Sequence, residues 1–183
     1  MSSGDGILSR ILRLLVGGQR SGRISGRRAA PRSSPPADEF TPGRDGGTAT
    51  HEIAPPAGND LTIGYAPKID GAPDAGEIVW TWVPFEENDG RGKDRPVLVI
   101  GRLDQEHVYA VKLTSKDHDG DREFLSIGSG SWDSAGRPSW VDVDQFYLVH
   151  RYGLRREAAA LDRERFEKVA AVLHRRYGWA VAD

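Results

Sequence analysis

The segment GEIVWTWVPFEENDGRGKDRPVLVI, residues 76–100, constrains the fold of this chain more than any other. It consists of two apolar arms around a charged, glycine-bearing middle. The first arm, Glu77 to Val83, is β-branched and aromatic, with Ile78, Trp80 and Trp82 on one alternating face. The second, Pro96 to Ile100, is a continuous apolar run, the pattern of a strand buried on both faces. Between them Asp89-Gly90 and Gly92 supply turn chemistry, and Arg91, Lys93 and Arg95 bring three cations together. The reading is a hairpin whose second strand opens at Pro96, which has no N–H to donate. Arg95 then stands where a loop meets a rigid strand, a place where a reactive side chain can be held. The plainer reading of Arg95 is a surface ion pair with Asp94 or Glu87. Trp80 and Trp82 read first as core side chains, with base stacking as the functional alternative.

After a turn at Gly101–Asp104, the stretch His107 to Leu113 alternates as a third strand and ends at Thr114-Ser115. The polar loop KDHDGDRE follows, acidic enough to repel phosphates close to it. Its Asp117, Asp119 and Asp121 open like a calcium loop, but Arg122 holds the glycine position and Gly128 the bidentate acid position, so a metal site is not expected. Glu123–Gly128, Trp140–Val143 and Phe146–Val149 read as short strands, with a glycine-serine loop carrying Trp132 between the first two. A helix closes the chain: Asp162 is its N-cap, Phe166, Val169, Ala170, Leu173 and Tyr177 share a face, and Gly178 stops it. Short strands followed by one helix, with no βαβ alternation, predict a mainly β fold, a small curled barrel with a C-terminal helix packed on it.

The first 73 residues are of a different kind. Ile7, Leu8, Ile11, Leu12, Leu15 and Val16 recur at helical spacing over residues 7–16, but Arg10 and Arg13 interrupt the run, which is far shorter than the roughly 20 residues of a membrane span. From Gln19 to about Pro73 the chain is rich in Gly, Ser, Pro and Arg and too poor in apolar residues to offset its conformational entropy. Residues 1–73 are therefore expected to be a disordered leader without stable membrane insertion, and 74–183 the folded domain. Leu61, Ile63, Tyr65 and Ile69 form a small apolar cluster suited to folding back on the domain edge.

Charge is unevenly spread. Residues 1–36 hold seven arginines and one acid, whereas residues 74–183 hold 16 basic and 20 acidic side chains. A net-acidic domain binds nucleic acid only through a local cationic patch. The chain has no cysteine, which excludes disulfides, thiolate metal sites and a cysteine nucleophile and fits a reducing cytoplasm. No serine-hydrolase elbow, zinc-protease helix, phosphate-binding loop or dinucleotide fingerprint is present, and the five histidines fall in separate segments. No cofactor is expected.

After the GEIVW strand, four features occur together in one order: the RPVLVI strand after a basic loop, LTS at the end of the third strand, Asp144-Gln145, and Leu161-Asp162 to Val169. In this order they resemble the PemK/MazF family of toxin endoribonucleases, over residues 75–178. The resemblance implies an SH3-like β-barrel with a C-terminal helix, a homodimer, and metal-independent cleavage of single-stranded RNA, countered by an antitoxin protein. It implies that Arg95 and Thr114 are catalytic; Arg91, Lys93, Ser115, Lys116 and Gln145 are the expected substrate contacts beside them. Tyr177-Gly178-Trp179 resembles instead the end of the gyrase-targeting toxins of the same fold, where the C-terminal tryptophan matters. A non-catalytic SH3-like binding module is the third possibility.

Overall fold

In a computed structural model the residues described are 41–68, 72–85 and 90–182. The expected helix at 7–16, the basic stretch after it, Ile69, Glu87 and Asp89 lie outside them. A 3-10 turn at Gly46–Thr48 leads into β1 (His51–Ile53) and β2 (Thr62–Ile63). Then follow β3 (Glu77–Pro84), β4 (Gly92–Arg102), β5 (His107–Thr114), β6 (Phe124–Gly128), β7 (Ser139–His150) and β8 (Leu154–Ala160). Helix α1 (Arg163–Tyr177) and β9 (Ala180–Val181) end the chain.

The main sheet runs β1-β7-β5-β4-β3-β8, with β6 also paired to β7. The 76–100 hairpin is present, with Ile78 opposite Leu98 and Thr81 opposite Arg95. Its second strand starts at Gly92 rather than at Pro96. On its other side β4 is partnered by β5 only from Val97 onward, so Pro96 interrupts no ladder there. The expected barrel is an open, curled sheet: among the described residues no ladder joins β1 to β8. Curling still brings β1 toward β3, and Thr50 Oγ1 lies 2.7 Å from Thr81 Oγ1.

Alternation along the strands sends side chains to two cores. Ile78, Leu98, Ile100, Val111 and Leu113 pack with Phe166, Val169 and Leu173 of α1. Val79, Val83, Val97, Val99, Val108 and Val149 form a second cluster without a helix residue, covered by the curl of the sheet itself. Trp80 and Trp82 are half-buried rather than core. They follow Ile78 along its face toward the open end of the sheet, beyond the reach of α1. The helix has the expected ends: the Asp162 side chain accepts from Arg165 N–H at 3.0 Å, and Gly178 takes φ 76°, with its N–H on His174 O.

The folded region reaches further upstream than Asp74. Leu61 and Ile63 are 1% and 0% exposed inside the helix-side core, and β1 pairs with β7. β2 lies parallel to β9, with Thr62 opposite Ala180. Too polar to fold alone, residues 41–68 are held by these pairings to a sheet that supplies the missing apolar surface. Strand β7 is continuous where two strands were expected, and β5 skips residues 142–145 of it, pairing Val111 with Phe146 and Leu113 with Val141. Such a bulge bends the strand and re-aims its side chains.

Candidate functional site

A cleft of 530 Å³ opens at the end of β4 and β5, lined by Lys93, Arg95, Thr114, Ser115 and Lys116 and walled by Trp80 and Trp132. Five of the seven residues proposed from sequence therefore meet in one place. The other two, Arg91 and Gln145, line a neighbouring cleft of 330 Å³ with Lys112 and Tyr147, and Arg95 belongs to both clefts.

Arg95 is half-buried at the hairpin's polar end. Of the two partners in the plainer reading, Asp94 is bound instead to Arg155 at 2.8 Å, and Glu87 lies outside the described residues. Among the described residues no side chain pairs with the Arg95 guanidinium. A guanidinium held on a strand without a carboxylate keeps its planar donors for a ligand oxyanion. Thr114 ends β5, and its Oγ1 accepts from the Lys116 N–H at 3.2 Å. That bond uses the oxygen as acceptor and leaves the hydroxyl proton to donate.

The larger cleft carries Lys93, Arg95, Lys116 and Arg137 against two carboxylates, Asp94 and Asp133. Both carboxylates are engaged by arginines, since Asp133 takes Arg137 at 2.9 Å. Hydrogen bonding to Arg137 foremost lowers the Asp133 pKa from the usual carboxylate range. The smaller cleft holds Arg91, Arg95 and Lys112, with no acid among its described lining residues. A net-acidic domain thus presents a local cationic surface, as nucleic-acid binding requires. The acidic loop does not line either cleft: Asp119 accepts from Trp140 Nε1 at 3.2 Å, and Asp121 faces His118 at 3.5 Å.

Gln145 owes its position to the β7 bulge. Asp142 Oδ1 accepts the N–H groups of Asp144 and Gln145 at 3.0 and 3.2 Å, while Lys112 Nζ lies 3.3 Å from Asp142 Oδ2. Gln145 Oε1 accepts from Lys112 Nζ and from Tyr147 OH. Asp144 turns the other way and ties the sheet to α1, accepting from Arg176 at 2.5 Å and from Tyr177 OH at 2.9 Å. Burial, and then the Asp144 hydrogen bond, raise the Tyr177 pKa to about 12. Lys112, Asp142, Tyr147 and Arg137 were not foreseen as site residues. Lys112 and Tyr147 sit at ordinary strand positions, and only the fold brings them beside Gln145. Trp132 is nearly buried, with Nε1 donating to Ser139 Oγ at 3.0 Å.

Trp179 is fully enclosed, with Nε1 donating to the Pro56 carbonyl at 2.9 Å. Its side chain presents no surface to another protein, which removes the feature that favoured a gyrase-targeting role. Among the described residues no cluster of three metal-ligating side chains occurs, and no helix is long and apolar enough to cross a membrane.

The profile of the PemK-like, MazF-like toxins of type II toxin-antitoxin systems matches residues 74–176. Among solved structures, the chain is similar to a MazE-MazF complex from Deinococcus radiodurans at 21% identity and TM-score 0.46, covering 58% of this chain and 96% of that one. It is similar to MazF from the same organism at 22% identity and TM-score 0.42, covering 58% and 97%. An endoribonuclease from a mycobacterial species aligns at 14% identity and TM-score 0.42, covering 58% and 93%. No curated protein matches the chain. With more than half of its length matched by the family profile, the chain belongs to the PemK-like, MazF-like toxin family of type II toxin-antitoxin systems.

Proposed function

We propose that this toxin is an endoribonuclease that cuts single-stranded RNA by attack of the 2′-OH on the adjacent phosphorus, without a metal ion. The observation that carries the reading is Arg95: a guanidinium with no carboxylate partner among the described residues, placed where two cationic clefts meet, with Thr114 lining the larger one. In the reaction the 2′-oxygen bonds to phosphorus as the P–O5′ bond breaks, leaving a 2′,3′-cyclic phosphate and a 5′-hydroxyl. The 2′-OH proton leaves to a base, and a proton reaches O5′. Arg95 donates to the non-bridging oxygens as their charge grows, and Thr114 O–H holds one of them or orients the 2′-OH. Lys93, Ser115 and Lys116 bind the phosphates on one side, and Arg91 and Gln145 those on the other. The toxin acts in the cytoplasm as a homodimer and is restrained by a cognate antitoxin protein.

The test is cleavage of a single-stranded RNA by purified protein in EDTA. Arg95→Ala and Thr114→Ala should each lower kcat/KM by about a hundredfold or more, the scale of losing a transition-state donor. A 2′-deoxy sugar at the scissile position should block the cut. Near wild-type cleavage by Arg95→Ala, or dependence on added magnesium, would overturn the assignment. RNA bound but left intact would return the chain to a non-catalytic binding module.

A further inference from the structure

Residues 41–52 lie outside the stretch that matches the toxin family, yet they build a third cleft beside the two already described. Its volume is 210 Å³, and Arg44, Trp82 and Arg91 line it together with His51, Asp45 and Glu52. The three clefts are linked in series. Arg95 is shared by the first and second, and Arg91 and Pro84 by the second and third.

The backbone that carries the upstream arginine is pressed closely on the sheet. Gly43 adopts φ +82°, and a Cβ there would fall 2.6 Å from both the Gly153 oxygen and Thr81 Oγ1, so only glycine lets the segment press this closely on the sheet. The Gly43 carbonyl accepts from Thr50 N–H at 2.7 Å. The neighbouring Arg44 guanidinium lies over the Trp82 ring, 5.2 Å from its centroid. Its ion pair with Asp45 is long, at 3.7 Å, between side chains 47% and 61% exposed, and a pair of that kind binds weakly in water.

We propose that Arg44 and Trp82 form an accessory subsite for an unpaired nucleotide flanking the scissile bond, reached from Arg95 by way of Arg91. The proposal rests on the RNA-cleaving function above. Asp45 and Glu52 leave the third cleft nearly balanced in charge, which disfavours an isolated phosphate or an acidic peptide. An indole with a guanidinium beside its face offers flat, cationic surface to a base of any identity. The connecting phosphates fall toward Arg91 and Arg95, which line the second cleft.

The experiment compares a short RNA that the wild-type protein cuts with the same RNA extended by three unpaired nucleotides, on the 5′ side or on the 3′ side. One extension should raise wild-type kcat/KM about tenfold, the scale of one stacked base. Arg44→Ala and Trp82→Leu should erase that advantage, and Arg44→Ala should flatten the salt dependence of KM for the extended RNA by about one unit of log–log slope. Arg44→Lys should keep the salt slope but lose most of the gain. An advantage that survives Arg44→Ala and Trp82→Leu, or none in wild type, overturns the subsite. Competition by an acidic peptide that Arg44→Ala relieves, with the length advantage intact, also overturns it and assigns the cleft to a protein partner. If wild type cuts no RNA at all, the nuclease reading itself falls.

Discussion

Replacing Trp179 with alanine separates a structural tryptophan from a functional one. The side chain is 0% exposed. Its ring stacks on Tyr177 with centroids 4.7 Å apart and meets Phe146 edge-on at 5.0 Å. A buried tryptophan removes roughly 150–250 Å² from water, which at about 25 cal/mol per Å² is worth about 4–6 kcal/mol. Partial collapse of the cavity lowers this toward the measured range of about 3–5 kcal/mol for such truncations. The Pro56 carbonyl also loses its donor, a further cost of about 1 kcal/mol where water does not replace it. A loss of about 4 kcal/mol, with a urea m-value near ~2 kcal/mol/M, moves the unfolding midpoint down by about 2 M. Trp179→Phe, which keeps a ring but no donor, should lose about 1–2 kcal/mol by the same reasoning. Urea unfolding followed by near-ultraviolet circular dichroism reads both, with RNA cleavage assayed on protein kept folded in the cold. An unchanged midpoint with toxicity lost would refute the packing argument and place Trp179 at a functional surface.

Three other outcomes follow from the geometry. In a thermal melt the reference is a chain starting at residue 41, the first residue described. One starting at residue 71 loses two enclosed aliphatic side chains, Leu61 and Ile63, and should be less stable by about 4 kcal/mol or more. Lys112→Met leaves Asp142, 5% exposed, without its cation and should cost about 3 kcal/mol; Lys112→Met with Asp142→Asn should recover most of it, as read by a double-mutant cycle in urea. Tyr177 keeps its proton to about 12 in the folded protein, against about 10 in an unfolded chain. Its contribution is therefore complete below pH 10 and lost as pH rises toward 12. Tyr177→Phe should flatten that decline in stability measurements between pH 9 and 12, and an identical decline in the variant would contradict the assignment.

Elements built from local pattern were legible in the sequence. The alternation of β3, the apolar run of β4 and the capped helix α1 arise from side chains a few residues apart, so a linear reading finds them. The positions of Arg95 and Thr114 were legible for the same reason, because each stands near the end of a strand that its own sequence defines, whereas the roles proposed for them came from the family resemblance. Residues 154–160, LRREAAA, instead carry strong helix formers, and only pairing along β3 makes them a strand. β1, β2 and β9 are two or three residues long and exist through partners far along the chain. The enclosure of Trp179, the bulge that turns Gln145 toward Lys112, and the position of the acidic loop outside both clefts were likewise decided by tertiary contacts. Periodicity specifies which face of an element is apolar, but it carries no information about what covers that face. Chain segments remote in sequence supply the cover here, and they also complete the site.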